Sequence, residues 1–118
     1  MKRFLAVYIG TEDAPARARW NELDDEKRKS LEAAGFKAWM DWGTANAAAI
    51  VENGSPLGRT KRASSQGISD VRNSLTGYTI VQAESHEAAA RLFENHPHFT
   101  IFPGDSVEIV ECLPLPGQ

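Results

Sequence analysis

Among the 118 residues, three histidines are the side chains whose ordinary pKa lies nearest neutrality: His86, His96 and His98. His96 and His98 flank Pro97, so two imidazoles fall close enough to bind a metal or to act as an acid–base pair. Spacing supplies no third ligand, and hydrogen bonds that fix a loop are the plainer role. His86 stands in the first turn of an expected helix and reads as solvated. Asp70 and Asn73 precede a firm strand, and Lys61 lies on the polar strand expected to face them. A carboxylate, an amide and an ammonium placed there could orient the polar head of a small ligand, although Asp and Asn are also common turn formers. Trp39 and Trp42, together with Tyr78, could wall an apolar pocket between helix and sheet, with core packing as the plainer alternative.

The elements that must hold these groups follow from periodicity and turn chemistry. Arg3 to Ile9 is a short branched and aromatic run closed by Gly10, which predicts a first strand. Thr11 to Leu23, with Pro15 and Trp20, reads as a loop holding a helical turn anchored by its Trp. Asp24 and Asp25 supply cap-type and acidic residues for a helix that Gly35 is expected to kink or break. Beyond Gly35, the residues Phe36, Met40, Gly43, Ala47 and Ile50 recur at spacings of four and three, a stripe expected to meet a sheet. Asn53-Gly54 and Ser55-Pro56 predict a turn, Arg59 to Ser65 a solvent-facing second strand, and Gly77 to Ala83 a buried third strand. Ser85 caps a second helix that should stop before Pro97. Phe99 to Pro103 reads as an apolar connection, and Ser106 to Leu113 alternates as a last strand. The order is βαββαβ, an α+β, ferredoxin-like arrangement with a four-stranded antiparallel sheet and both helices on one face. Its other face is uncovered, and a second copy of the chain is the simplest cover.

Length and composition bound the partners. One domain spanning 1–118 is expected, because the chain is too short for two independent cores. Thirteen basic against sixteen acidic residues give a net charge of -3, which offers no global field for nucleic acid or anionic membrane. The one local basic cluster, Arg59-Thr60-Lys61-Arg62, has no aromatic residue between Arg59 and Ser74 to stack on bases, so a charged edge strand explains it better. Cys112 is the single cysteine; it cannot form an internal disulfide and reads as a small buried hydrophobe. No nucleophile motif, phosphate loop or metal-ligand spacing occurs, so neither a cofactor nor a metal is expected. The apolar run after Met1-Lys2-Arg3 is cut short by Glu12 and Asp13, and a cytoplasmic location is expected.

Several segments together carry a resemblance. Gly-Ser-Pro-Leu-Gly at 54–58, Gly-Ile-Ser-Asp at 67–70, Leu-Thr-Gly-Tyr-Thr-Ile-Val-Gln-Ala-Glu-Ser at 75–85, the Ala run after Glu87, His-Pro-His at 96–98 and Val-Glu-Ile-Val-Glu at 107–111 resemble the YCII-related family in order and spacing. The resemblance implies a dimeric α+β barrel, two ferredoxin-like protomers packed sheet to sheet, for which no general activity is established. Members named for Asp-Gly-Pro-Phe carry that motif before the third strand, whereas this chain has Asp70-Val71-Arg72-Asn73, so only Asp70 matches. Some members carry a His and an Asp on the first helix; the stretch from Phe36 to Asp41 contains no histidine, and that dyad does not transfer.

Three functions are therefore in view. The first is a homodimer that binds a small, partly apolar molecule near Trp39, Trp42, Lys61, Asn73 and Tyr78. The second is a small-metabolite enzyme of isomerase, lyase or monooxygenase type, with His98 or His96 as acid–base and Asp70 orienting. The third is a protein-interaction module.

Overall fold

The computed structural model describes residues 1–14 and 18–117, so Pro15 in the expected loop lies outside the described residues. Strand β1 (Lys2–Ile9), helix α1 (Asp25–Ala45), strands β2 (Ile50–Pro56), β3 (Thr60–Ser64), β4 (Gly67–Val71) and β5 (Leu75–Ala83), helices α2 (His86–Arg91) and α3 (Pro97–Thr100) and strand β6 (Ser106–Glu111) follow in order. The main sheet has the order β2-β5-β1-β6 with every pair antiparallel. This is the expected ferredoxin-like α+β topology, with one substitution of parts. The second sheet strand is Ile50–Pro56, where a turn was expected, and the Arg59–Ser65 segment pairs with β4 in a separate two-stranded hairpin.

The turn chemistry at 53–56 is used inside β2. Its register against β5 slips twice, and Gly54 has φ +70, a conformation that favours glycine. A Cβ at Gly54 would overlap the Tyr78 carbonyl, so the same position also needs the missing side chain to let the strands approach.

Strict alternation divides the two faces of the sheet. Phe4, Ala6 and Tyr8 of β1 and Thr79, Val81 and Ala83 of β5 are buried on the helix side, where Phe93 and Ala89 join them. On the opposite side Leu5, Val7, Ile9 and Ile80 are only half-buried and Val110 is 53% exposed. No helix of the described residues is long and apolar enough to cross a membrane.

Helix α1 is capped by Asp24, whose carboxylate accepts the Lys27 N–H at 2.8 Å. It runs through Gly35 without the expected break. Glycine serves packing there, because a Cβ would meet the Phe102 ring at 2.5 Å. The inward edge of the helix is buried Gly35 with half-buried Trp39 and Trp42. Of the expected stripe, Phe36 and Met40 lie beside it and stay open, 62% and 73% exposed, whereas Ala47 and Ile50 fall past the helix end and Ile50 packs on the core from β2. A four-and-three spacing fixes a shared face, and here two adjacent faces satisfy it.

Helix α2 is short and stops before Pro97, as expected. After Arg91 the chain turns through Asn95 (φ 56), and Pro97 opens α3 as its first residue, where a missing N–H costs nothing. Cys112 is exposed rather than buried, since β6 ends one residue before it. In the described part of the expected loop after β1, a 3-10 turn forms at Trp20–Glu22, and the Trp20 ring rests 6.3 Å from that of Phe102.

Candidate functional site

Helix α1 reaches the core through two large side chains, Trp39 and Trp42, and the space beside them is not filled. A cavity of about 610 Å³ opens there between α1, the β2–β5 side of the sheet and the segment from His98 to Gly104. Its walls are mainly aromatic and aliphatic: Tyr8, Phe36, Trp39, Met40, Tyr78 and Phe102. Polar side chains at its surface include Thr11, Thr79 and His98, and no Asp, Glu, Lys or Arg lines it among the described residues. An apolar hollow with a few placed polar groups is the usual form of a small-molecule site.

The polar groups are held by bonds with definite direction. Thr79 Oγ1 donates to the Asn53 carbonyl at 3.2 Å, and Tyr8 Oη lies 2.8 Å from the same hydroxyl. Thr79 has one proton and a carbonyl only accepts, so Tyr8 donates to Thr79. Burial raises the Tyr8 pKa, partly offset by that hydrogen bond, and the phenol is neutral. The Ile9 carbonyl at the end of β1 accepts from His98 Nε2 at 2.8 Å and from the Asp105 N–H at 2.9 Å. His98 therefore carries its proton on Nε2. Burial lowers its pKa, against the Ile9 bond and the Asp105 charge, which raise it. Asp105 in turn accepts from the Thr11 N–H at 2.6 Å, tying the cavity rim to the start of β6.

His96 has a different setting from its near neighbour. It is fully buried, and its ring is surrounded by Trp39 at 4.5 Å, Trp42 at 4.7 Å and Tyr8 at 5.2 Å. Nδ1 accepts the His98 N–H at 3.0 Å, which caps α3 and leaves the proton on Nε2. That Nε2 has no hydrogen-bond partner, and the imidazole stands at 89° to the Trp39 ring and 75° to the Trp42 ring. Burial, with a smaller contribution from His98, lowers its pKa to about 4. His96 does not line the cavity.

The remaining residues singled out from sequence divide between two places. Trp39 and Tyr78 line the cavity, and the Tyr78 hydroxyl donates to Glu52 at 2.8 Å. Trp42 turns inward: its indole N–H donates to the Leu92 carbonyl at 2.7 Å and its ring packs on Phe93 at 5.0 Å. Asp70, Lys61 and Asn73 sit on or beside the β3–β4 hairpin, along a separate depression with Arg59 and Arg72. There Asp70 pairs with Lys61 across the strands at 2.8 Å, both exposed. Asn73 donates to Thr60 at 3.0 Å and accepts the Leu75 N–H at 3.1 Å, which is turn chemistry. The structure thus brings His98, Trp39 and Tyr78 together and leaves Asp70, Lys61 and Asn73 outside that cavity. His86 is no free surface group: its Nε2 lies 2.7 Å from the Ile109 carbonyl and its ring rests on Phe4.

Sequence reasoning missed Tyr8, Thr79 and Phe102. Tyr8 had one available signal, a polar aromatic on the buried face of the first strand. Among the described residues no group of three or more His, Cys, Asp or Glu is placed to hold a metal ion.

No protein-family model matches the chain, and no curated protein matches it significantly. Two solved chains match by structure. One is 5-chloro-2-hydroxyhydroquinone dehydrochlorinase, TftG, from Burkholderia phenoliruptrix AC1100, in complex with 2,5-dihydroxybenzoquinone. The likeness has a TM-score of 0.53 at 14% identity and covers 96% of this chain and 94% of that chain. At that identity it establishes a shared fold over nearly the whole length of both chains.

Proposed function

We propose that the protein is a one-domain homodimeric α+β barrel whose protomers each hold a small, partly apolar molecule between α1 and the sheet. The observation that carries this reading is the aromatic cavity of about 610 Å³ with His98 in its wall. The structural neighbour of the same fold is in complex with a small oxygenated ring, 2,5-dihydroxybenzoquinone, which is compatible with a ligand of that size.

Surface area supports the second copy. The chain exposes 8446 Å², whereas a compact monomer of this mass exposes roughly 6,300 Å². Its radius of gyration is 16.3 Å, against about 13.5 Å for a compact chain of this length. The half-buried row Leu5, Val7, Ile9 and Ile80 is an apolar surface of the kind two-fold dimers bury.

A thermal-shift screen with neutral ring compounds, the dihydroxybenzoquinone included, tests ligand binding. A ligand at a hundred times its Kd adds about 2.7 kcal/mol to the folded state, which raises Tm by several degrees. Met40→Glu, at the exposed rim, should leave Tm without ligand unchanged and abolish the shift. A flat response across the panel would contradict the reading and favour the protein-interaction module.

A second reading, the small-metabolite enzyme, draws support from the position of His98 alone, since His96 is sealed in the core and Asp70 is paired on the hairpin. Here His98 acts as the base and the cavity positions the substrate. Once a substrate is in hand, His98→Asn should lower kcat about 100-fold or more; unchanged turnover would remove His98 from the mechanism.

A further inference from the structure

The direction of the hydrogen bonds in the cavity says more about its occupant than its size does, taking as given that the cavity is a binding site. The Tyr8 proton goes to Thr79 and the Thr79 proton to the Asn53 carbonyl. The Tyr8 oxygen is left with acceptor capacity and no proton to give. The His98 ring proton goes to the Ile9 carbonyl, which leaves Nδ1 as a lone pair. No hydrogen bond to that Nδ1 occurs among the described residues, and His98 lines the cavity. Two of the cavity's polar groups thus present acceptors.

Charge narrows the class further. Among the described residues of the lining, a carboxylate or phosphate would find no Arg or Lys, and an ammonium no Asp or Glu. Removing an unpaired ion from water costs several kcal/mol. The aromatic walls offset part of that cost for a cation by cation–π attraction, and none of it for an anion. A flat apolar body, in contrast, suits walls made of Trp39, Phe36, Phe102 and Met40.

We propose that the cavity selects an uncharged, flat ring compound bearing a hydroxyl or N–H that donates to His98 Nδ1 or to Tyr8 Oη, and discriminates against ionised ligands and against rings that only accept. A phenol is the simplest member of this class. When the hydroxyl donates to His98, its proton already lies along the line to Nδ1, so the same geometry serves binding and proton removal.

The test is calorimetric titration of the intact protein at neutral pH with four probes of one shape: β-naphthol, its methyl ether, β-naphthoate and β-naphthylmethylammonium. An acceptor left unmatched costs about 1–3 kcal/mol, so β-naphthol should bind roughly tenfold or more tighter than the other three. Thr79→Val removes the oxygen that takes the Tyr8 proton and turns that O–H toward the cavity. The advantage of β-naphthol over its methyl ether should then shrink severalfold. Equal binding of the ether, or tighter binding of either ion, would overturn this class while leaving the binding site itself standing. Failure of all four would overturn the class as well, and only a flat thermal-shift panel besides would remove the site.

Discussion

His96 and His98 stand two residues apart, and the fold gives them opposite work. One is buried among indoles with a lone pair used to cap α3; the other faces the cavity with its proton held by the end of β1. The sequence shows the pair and Pro97 between them, but the direction of each ring depends on α3 starting at Pro97, which local patterning does not reveal. The His96 setting has a consequence for stability. Its pKa falls from the ordinary 6.5 to about 4 in the folded protein, so between those values the unfolded chain binds more protons. Stability from this group is fully present above the unfolded pKa and is lost as pH falls from 6.5 toward 4. Chemical denaturation across that window should show a decline on the order of 2–3 kcal/mol. The lowered pKa of His98 acts in the same direction. A midpoint that stays level through this range would contradict the neutral, sealed imidazole.

At the scale of elements, two glycines do work that turn statistics misassign. Gly35 sits mid-helix because Phe102 occupies the place of its side chain, and Phe102 is brought there by a segment more than sixty residues away, beyond the reach of local periodicity. Gly35→Ala should keep the helix but displace the ring, lowering stability by about 1–3 kcal/mol and reshaping the cavity that Phe102 lines. Denaturation with urea would register it, and a neutral or stabilising result, as helix propensity alone predicts, would count against this packing. Gly54 marks the bulged strand that sequence reading takes for a turn, since Asn-Gly and Ser-Pro serve either structure. Gly54→Ala should be more damaging than Gly35→Ala, because its Cβ meets backbone and its φ is positive. The elements legible from sequence were so for plain reasons: β1 and β5 alternate cleanly, and Asp24 and Ser85 both cap as their side chains suggest, Ser85 by accepting the Ala88 N–H. The stripe on α1 was only half legible, because Phe36 and Met40 share a face with the cavity rather than with the sheet.

For the whole molecule, the ferredoxin-like α+β class was readable from the alternation of strands and helices, and the structure has that topology. The cavity was not, because it is the gap left where α1 is propped on Trp39 and Trp42, a matter of tertiary spacing. The molecule is a slab with a least dimension of 19 Å, with the ligand cavity proposed on the helix side and the partner proposed on the sheet side. Ile80 projects from the open side and Val81 into the core, so a charge at Ile80 addresses the partner surface specifically. Ile80→Asp should yield folded protomers, whereas Val81→Asp should unfold the chain by burying an unpaired charge. The direct measurement is sedimentation equilibrium of the native protein at micromolar concentration. A single species of twice the 13.0 kDa chain mass, reverting to one chain mass in Ile80→Asp, is the result expected. A native protein that sediments as one 13.0 kDa chain would contradict the proposed dimer.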